Sequence, residues 1–118
     1  MEMIEQMAEA AISYDSLRLR SLVQDWIRSG LPVSDFRQPD QDDTKILAIS
    51  AALVELLAGM RGEKPPQWTH AIGPLDEPFY LVESSTRMKR LRILCETQSP
   101  EPMRRRRLYT PPHFLQFA

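Results

Sequence analysis

The stretch from residue 44 to residue 61, TKILAISAALVELLAGMR, constrains the fold most strongly, because it is apolar on nearly every side. At helical spacing, large apolar side chains take one side and small ones take much of the other, around Glu55. Asp42 or Asp43 can cap its start, and Gly62 can cap its end. A helix that is apolar all round is a buried helix. The segment therefore predicts a central helix, whose small face would admit a close neighbour or a second copy in a homodimer.

Two amphipathic helices are predicted before this segment. Residues 2–14 place their apolar side chains on one face, and residues 16–29 do the same. Ser13 or Asp15 can cap the second helix, and Gly30 is well placed at its C-terminal end. The first half of the chain thus predicts three helices of ordinary length.

Prolines punctuate the second half, since most of the ten prolines lie between residues 65 and 112. They predict short helices with sharp stops. We expect a helical turn at 68–72, a helix at 85–97, a short helix that starts after 99 and runs through the arginines, and a last one at 113–117. Residues 79–83 are the only strand-like stretch. The prediction is an all-α fold, a compact single-domain bundle of five to seven helices spanning 1–118, with longer helices in 1–62 and short ones in 63–118.

Composition excludes several classes of protein. The apolar content of 42% and charged content of 26% are those of an ordinary globular domain. Cys95 is the only cysteine, which rules out an intrachain disulfide and a cysteine-based zinc site, and its place on an apolar helix face predicts a buried thiol. The acidic N-terminus does not resemble a signal peptide, and no stretch is long enough to span a membrane. We expect a cytoplasmic protein with no membrane partner, no cofactor and no metal.

The formal net charge of −1 hides a strong asymmetry. Residues 87–107, called here the basic segment, hold eight basic and two acidic side chains, whereas residues 1–86 hold seven basic and fourteen acidic ones. Such a split is typical of a surface that binds a partner or a polyanion, or of two parts of one fold that attract each other. The basic residues are Arg87, Lys89, Arg90, Arg92, Arg104, Arg105, Arg106 and Arg107.

The last eleven residues are largely apolar and must dock, either on the chain's own core or on a partner. The flanking arginines would give a partner site a charged rim. We therefore add Tyr109, Phe114 and Phe117 to the eight basic residues as the predicted partner- or polyanion-binding set.

The spacing of Arg107 and His113 resembles the Arg-x(4–6)-His signature of HEPN-type ribonucleases, which are small, all-helical and usually dimeric. The resemblance implies an arginine that binds the phosphate and a histidine that acts in acid–base chemistry. These are the only catalytic candidates that the sequence offers.

The segment from Trp68 to Ala118, with EPFYLV, LRILCE and SPEPMRRRRLYTPPHFL, resembles a set of small uncharacterised bacterial all-helical proteins, to which no activity is attached. Short helical proteins of this kind are often one half of a toxin–antitoxin or nucleotidyltransferase-linked pair. The favoured hypothesis is a non-enzymatic protein-interaction or regulatory module, such as an antitoxin-like partner. The alternatives are a nucleic-acid-binding protein and a HEPN-like ribonuclease using Arg107 and His113.

Overall fold

A computed structural model describes residues 2–115, apart from the side chain of Thr86. The described chain is mostly helical, and the predicted all-α fold is confirmed. Its five α-helices are α1 (Met3–Ile12), α2 (Ser16–Ser29), α3 (Thr44–Arg61), α4 (Lys89–Gln98) and α5 (Glu101–Arg104). Three 3-10 turns, at Val33–Asp35, Gln67–Ala71 and Glu83–Thr86, and two short strands, β1 (Phe79–Tyr80) and β2 (Leu108–Tyr109), complete the secondary structure.

Helix α3 lies at the centre, as its all-round apolar character predicts. Helices α1 and α5 and the turn at Gln67–Ala71 pack directly on it. Its large side is buried at Ile49 and Leu53, and its small side is equally buried at Ala48 and Ala52. The chain itself therefore covers the small face at these alanines, which agrees with the predicted close neighbour there.

The ends of the first three helices follow their local sequence. The side chain of Asp15 accepts a hydrogen bond from the backbone N–H of Arg18 at 3.1 Å, and Asp43 caps α3 in the same way. Gly30 and Gly62 end α2 and α3 in the left-handed conformation, with φ of 71° and 68°. Because glycine has no Cβ to clash in this conformation, both helices end there with little backbone strain.

The predicted helix at 85–97 starts too early, because α4 begins only at Lys89. Before it, Glu83–Thr86 form a 3-10 turn in which the hydroxyl of Ser85 donates to the carbonyl of Val82 at 2.7 Å. A serine that bonds the preceding backbone in this way competes with helix formation. Local side-chain bonding thus delays the helix by one turn.

The predicted helix through the arginines was also wrong beyond Arg104, where α5 ends. Arg107 adopts a left-handed φ of 63°, and β2 follows it directly. Strand β2 pairs in parallel with β1, with Phe79 opposite Leu108. The strand-like stretch at 79–83 is thus a strand only over its first two residues.

The predicted helix at 113–117 was wrong within its described part, because residues 112–115 form a turn. The rest of that prediction lies outside the described residues. Between residues 2 and 115, no helix combines the length and the apolar character needed to cross a membrane.

Candidate functional site

Arg106 lies in the interior, with a relative exposure of 1%. Its guanidinium donates to both carboxylate oxygens of Glu55, at 2.6 and 3.1 Å. It also donates to the backbone carbonyls of Thr69, at 2.8 Å, and of Ile72, at 3.1 Å. The fully satisfied guanidinium joins α3 to the turn at Gln67–Ala71 and is not available on the surface.

Glu55 receives a second arginine, since Arg105 donates to the same carboxylate and also pairs with the exposed Glu101. Burial alone would raise the pKa of Glu55, but the hydrogen bond and charge of Arg106, together with the charge of Arg105, outweigh it and lower the pKa. The ring of His70 lies 3.8 Å from this carboxylate. The one acidic residue of the central helix is therefore the anchor of the arginine run.

The two outer arginines of the run bind backbone carbonyls. Arg104 donates to the carbonyl of Thr97 at 3.0 Å, and Arg107 donates to the carbonyl of Asp76. All four guanidinium groups from 104 to 107 thus have partners inside the chain. Their positive charges serve first to hold α5 and β2 in place.

The apolar C-terminal residues dock on the chain's own core over the part that the structure describes. Leu108 and Leu115 are buried, and Phe114 packs against the core. Tyr109 is half-buried beside Tyr80, with ring centroids 5.3 Å apart. Phe117 lies outside the described residues.

Helix α4 contacts the rest of the described chain along one side. Cys95 is its only fully buried residue within the described chain, and burial raises the pKa of this thiol, which keeps it protonated and unreactive. Tyr80 donates to the carboxylate of Glu96 at 2.6 Å, and burial followed by this hydrogen bond raises the pKa of Tyr80 to about 12. These contacts fasten one side of α4 and leave the other side to solvent.

The outer side of α4 is apolar as well as basic. Ile93 and Leu94 are 47% and 39% exposed. Four residues before each of them, and so on the same side of the helix, stand Lys89 and Arg90. We call the whole patch the α4 surface, and its residues are Arg87, Met88, Lys89, Arg90, Ile93 and Leu94.

In the sequence, Met88 and Leu94 fall on the same apolar face of the helix expected at 85–97 as Cys95, but they do not share its burial. Both are exposed, Met88 to 55%, because the main packing partner of α4 within the described residues is the turn that precedes it, Glu83–Thr86. Within the described residues, the cations Arg87, Lys89 and Arg90 have no carboxylate partner within 4.0 Å, whereas Arg92 lies 3.7 Å from Glu96. Arg104 to Arg107 are therefore engaged within the chain, whereas Lys89 and Arg90 are exposed on α4 and Arg87 is exposed just before it.

A cleft of about 490 Å³ lies beside the α4 surface. Three separate parts of the chain form it: the corner between α1 and α2, the segment 81–87, and residues 111–115. Its apolar walls include Ala10, Ala11, Leu19, Leu81 and Leu115. No local pattern in the sequence could have revealed it, because its walls come together only in the folded chain.

Polar side chains also line the cleft, and they include two that sequence analysis singled out, Arg87 and His113. Asp15, Ser16, Glu83 and Ser84 accompany them. Arg107 is not among the described residues that line the cleft. The structure therefore places the histidine of the HEPN-like pair in a cleft without its arginine.

Two of the cleft residues, Tyr14 and Leu115, adopt left-handed backbone conformations, with φ of 58° and 70°. For a residue other than glycine this conformation costs about 1–2 kcal/mol. Backbone strain of this kind clusters at functional sites. Tyr14 lies just after the end of α1, whereas the left-handed residues that follow α2 and α3 are glycines.

Within residues 2–115, no group of three or more histidine, cysteine, aspartate or glutamate side chains could hold a metal ion. Comparison with protein-family models, curated proteins and solved structures found no significant match.

Proposed function

We propose that this chain is a cytoplasmic, non-enzymatic interaction module that binds an acidic, amphipathic segment of a partner protein through the α4 surface. The observation that carries this proposal is the pairing of Ile93 and Leu94, both well exposed, with cations that have no carboxylate partner in the described chain. Burying two large apolar side chains gives affinity, and pairing the cations gives orientation and specificity.

The partner's chemistry follows from the layout of the α4 surface. The apolar pair Ile93 and Leu94 calls for apolar side chains, and the cations that precede it, Arg87, Lys89 and Arg90, call for carboxylates. A helix whose apolar stripe is flanked by aspartate and glutamate meets both demands. An antitoxin-like role is the regulatory form of this function, and in that form the partner is an enzyme that the chain inhibits.

The same cations could bind phosphates, but the exposed apolar side chains of the α4 surface favour a protein partner. Nucleic-acid surfaces read phosphates with cations and stack bases on aromatic rings. The α4 surface carries aliphatic side chains where such rings would stand. Binding to a nucleic acid would also fall steeply with salt, whereas binding centred on Ile93 and Leu94 would fall only moderately.

Site-specific crosslinking tests the proposal directly. A photoreactive amino acid replaces Leu94 in cells, and the contacted segment of any crosslinked partner is mapped by mass spectrometry. The same substitution at Leu31, which is 50% exposed and lies two residues after the end of α2, is the control. We expect a protein segment with acidic residues around apolar ones at helical spacing, crosslinked at 94 and not at 31, and lost in Arg90→Glu. Crosslinks to nucleic acid, or to a segment without carboxylates, would overturn the proposal.

A further inference from the structure

We propose that the cleft beside the α4 surface receives an uncharged aromatic side chain from the same partner segment. The inference rests on the proposed function, because it takes the partner to be already bound on α4. It adds a second, separate anchor point and names the kind of residue that fills it.

The walls of the cleft suit a ring. Leu81 and Leu115 are among its aliphatic residues, and two aromatic residues, Tyr14 and Phe114, also line the space. Aromatic rings pack favourably against one another edge-to-face or offset. A cleft of about 490 Å³ is within the size range of pockets that enclose whole small ligands, so one ring enters without crowding.

The charges of the cleft point to an uncharged occupant. Two acidic residues, Asp15 and Glu83, and one basic residue, Arg87, line the cleft together with His113. The carboxylate of Asp15 is already engaged by the backbone N–H of Arg18. A charged group of either sign would be repelled by a like charge in this cleft, whereas a neutral ring would not.

The cleft is continuous with the α4 surface. Arg87 belongs to both, and the carbonyl of Ser84, a cleft residue, accepts the backbone N–H groups of Arg87 and Met88 at 3.1 and 3.0 Å. The wall of the cleft and the start of α4 are thus one hydrogen-bonded unit. A segment lying along α4 needs only to continue past Lys89 to reach the cleft.

Tyr14 independently supports an aromatic occupant, because this position holds an aromatic residue despite a strained backbone conformation. Its φ of 58° would suit glycine, which the sequence uses at Gly30 and Gly62. The ring stacks on Phe79, with centroids 6.4 Å apart, and remains 42% exposed beside the cleft. Stacking on Phe79 holds the exposed ring ready for a second aromatic group.

Indole, a neutral aromatic probe, tests the cleft by nuclear magnetic resonance of the full chain. We expect indole to shift the backbone signals of Leu81, Val82 and Ser84 in the wild type and in Ile93→Glu. Ser84→Phe, which fills the cleft, should abolish these shifts, whereas Ser21→Phe, on the exposed side of α2, should not. Tyr14→Gly relieves the strain and removes a ring, so it should weaken indole binding several-fold in a folded chain.

With the partner found by crosslinking at residue 94, excess indole should lower its affinity, and Ser84→Phe should lower it about tenfold. Absence of indole shifts at the cleft, shifts that survive Ser84→Phe, or a partner indifferent to indole would each overturn the inference. The proposed function fails on a different result, namely that no acidic protein segment is crosslinked at residue 94. The two failures are therefore distinguishable.

Discussion

A single carboxylate, that of Glu55, balances the charge of an arginine almost wholly removed from water. The side chain of Glu55 is 7% exposed and that of Arg106 is 1% exposed. In the sequence, Glu55 stands out as the one charge in the middle of an apolar helix, and the arginine run stands out as a basic surface. That the two meet could not be predicted, because fifty residues separate them and no local periodicity relates them.

Replacing Glu55 by glutamine should strongly destabilise the fold, because Arg106 would then be a buried charge without a counter-charge. Removing one partner of a buried ion pair costs about 3 kcal/mol or more. Urea unfolding followed by circular dichroism measures this loss. Glu101→Gln is the control, since the Glu101 side chain is 60% exposed, and it should change the free energy of unfolding by less than about 0.5 kcal/mol. Equal losses in the two variants would contradict the role given to Glu55.

The same carboxylate predicts the direction of acid sensitivity. Since the arginines hold the pKa of folded Glu55 below its ordinary value of 4.5, its stabilising contribution is complete above that value and is lost as the pH falls through the lowered pKa. The difference in unfolding free energy between wild type and Glu55→Gln should therefore shrink in acid. A difference that is constant from neutral pH into this range would show that the charge of Glu55 is not responsible.

At the scale of helices and turns, capping residues were the most informative part of the sequence. The ranges expected for the second and third helices agree with α2 and α3, because aspartates and glycines mark both ends. The start of α4 has no such marker, since Met88 makes no side-chain cap, and there the prediction was early. Strand β2 has only two residues and exists through its partner β1, so local sequence could not show it.

Two glycines near the end of α3 should respond to alanine in opposite directions. A Cβ at either position meets nothing within 4 Å, so only the backbone decides. Gly59 is helical, and Gly59→Ala should raise the free energy of unfolding by about 0.5–1 kcal/mol. Gly62 has a φ of +68°, which strains any other residue, so Gly62→Ala should lower the free energy of unfolding by about 1 kcal/mol. Thermal unfolding of both variants measures the effects, and shifts of the same sign would contradict the assigned end of the helix.

On the scale of the whole molecule, folding divides the basic segment into two parts with different tasks. Arg104 to Arg107 hold the second half of the chain to α3 and to neighbouring backbone, whereas the residues from Arg87 to Arg90 are exposed at the start of α4 and just before it. The sequence indicated that these charges matter and left open whether they pair within the chain or with a partner. Three-dimensional packing was needed to separate the two groups, and also to expose Ile93 and Leu94 and to assemble the cleft.

The affinity of the crosslinked partner for two matched variants tests the central claim most directly. Ile93 and Ile27 are isoleucines on helices with nearly equal exposure, 47% and 46%, and only Ile93 belongs to the α4 surface. We expect Ile93→Glu to weaken binding at least tenfold, about 1.4 kcal/mol, and Ile27→Glu to leave it unchanged, with both variants folded as the wild type is. Equal affinity of the two variants for the partner would contradict the assignment of α4 as the binding surface.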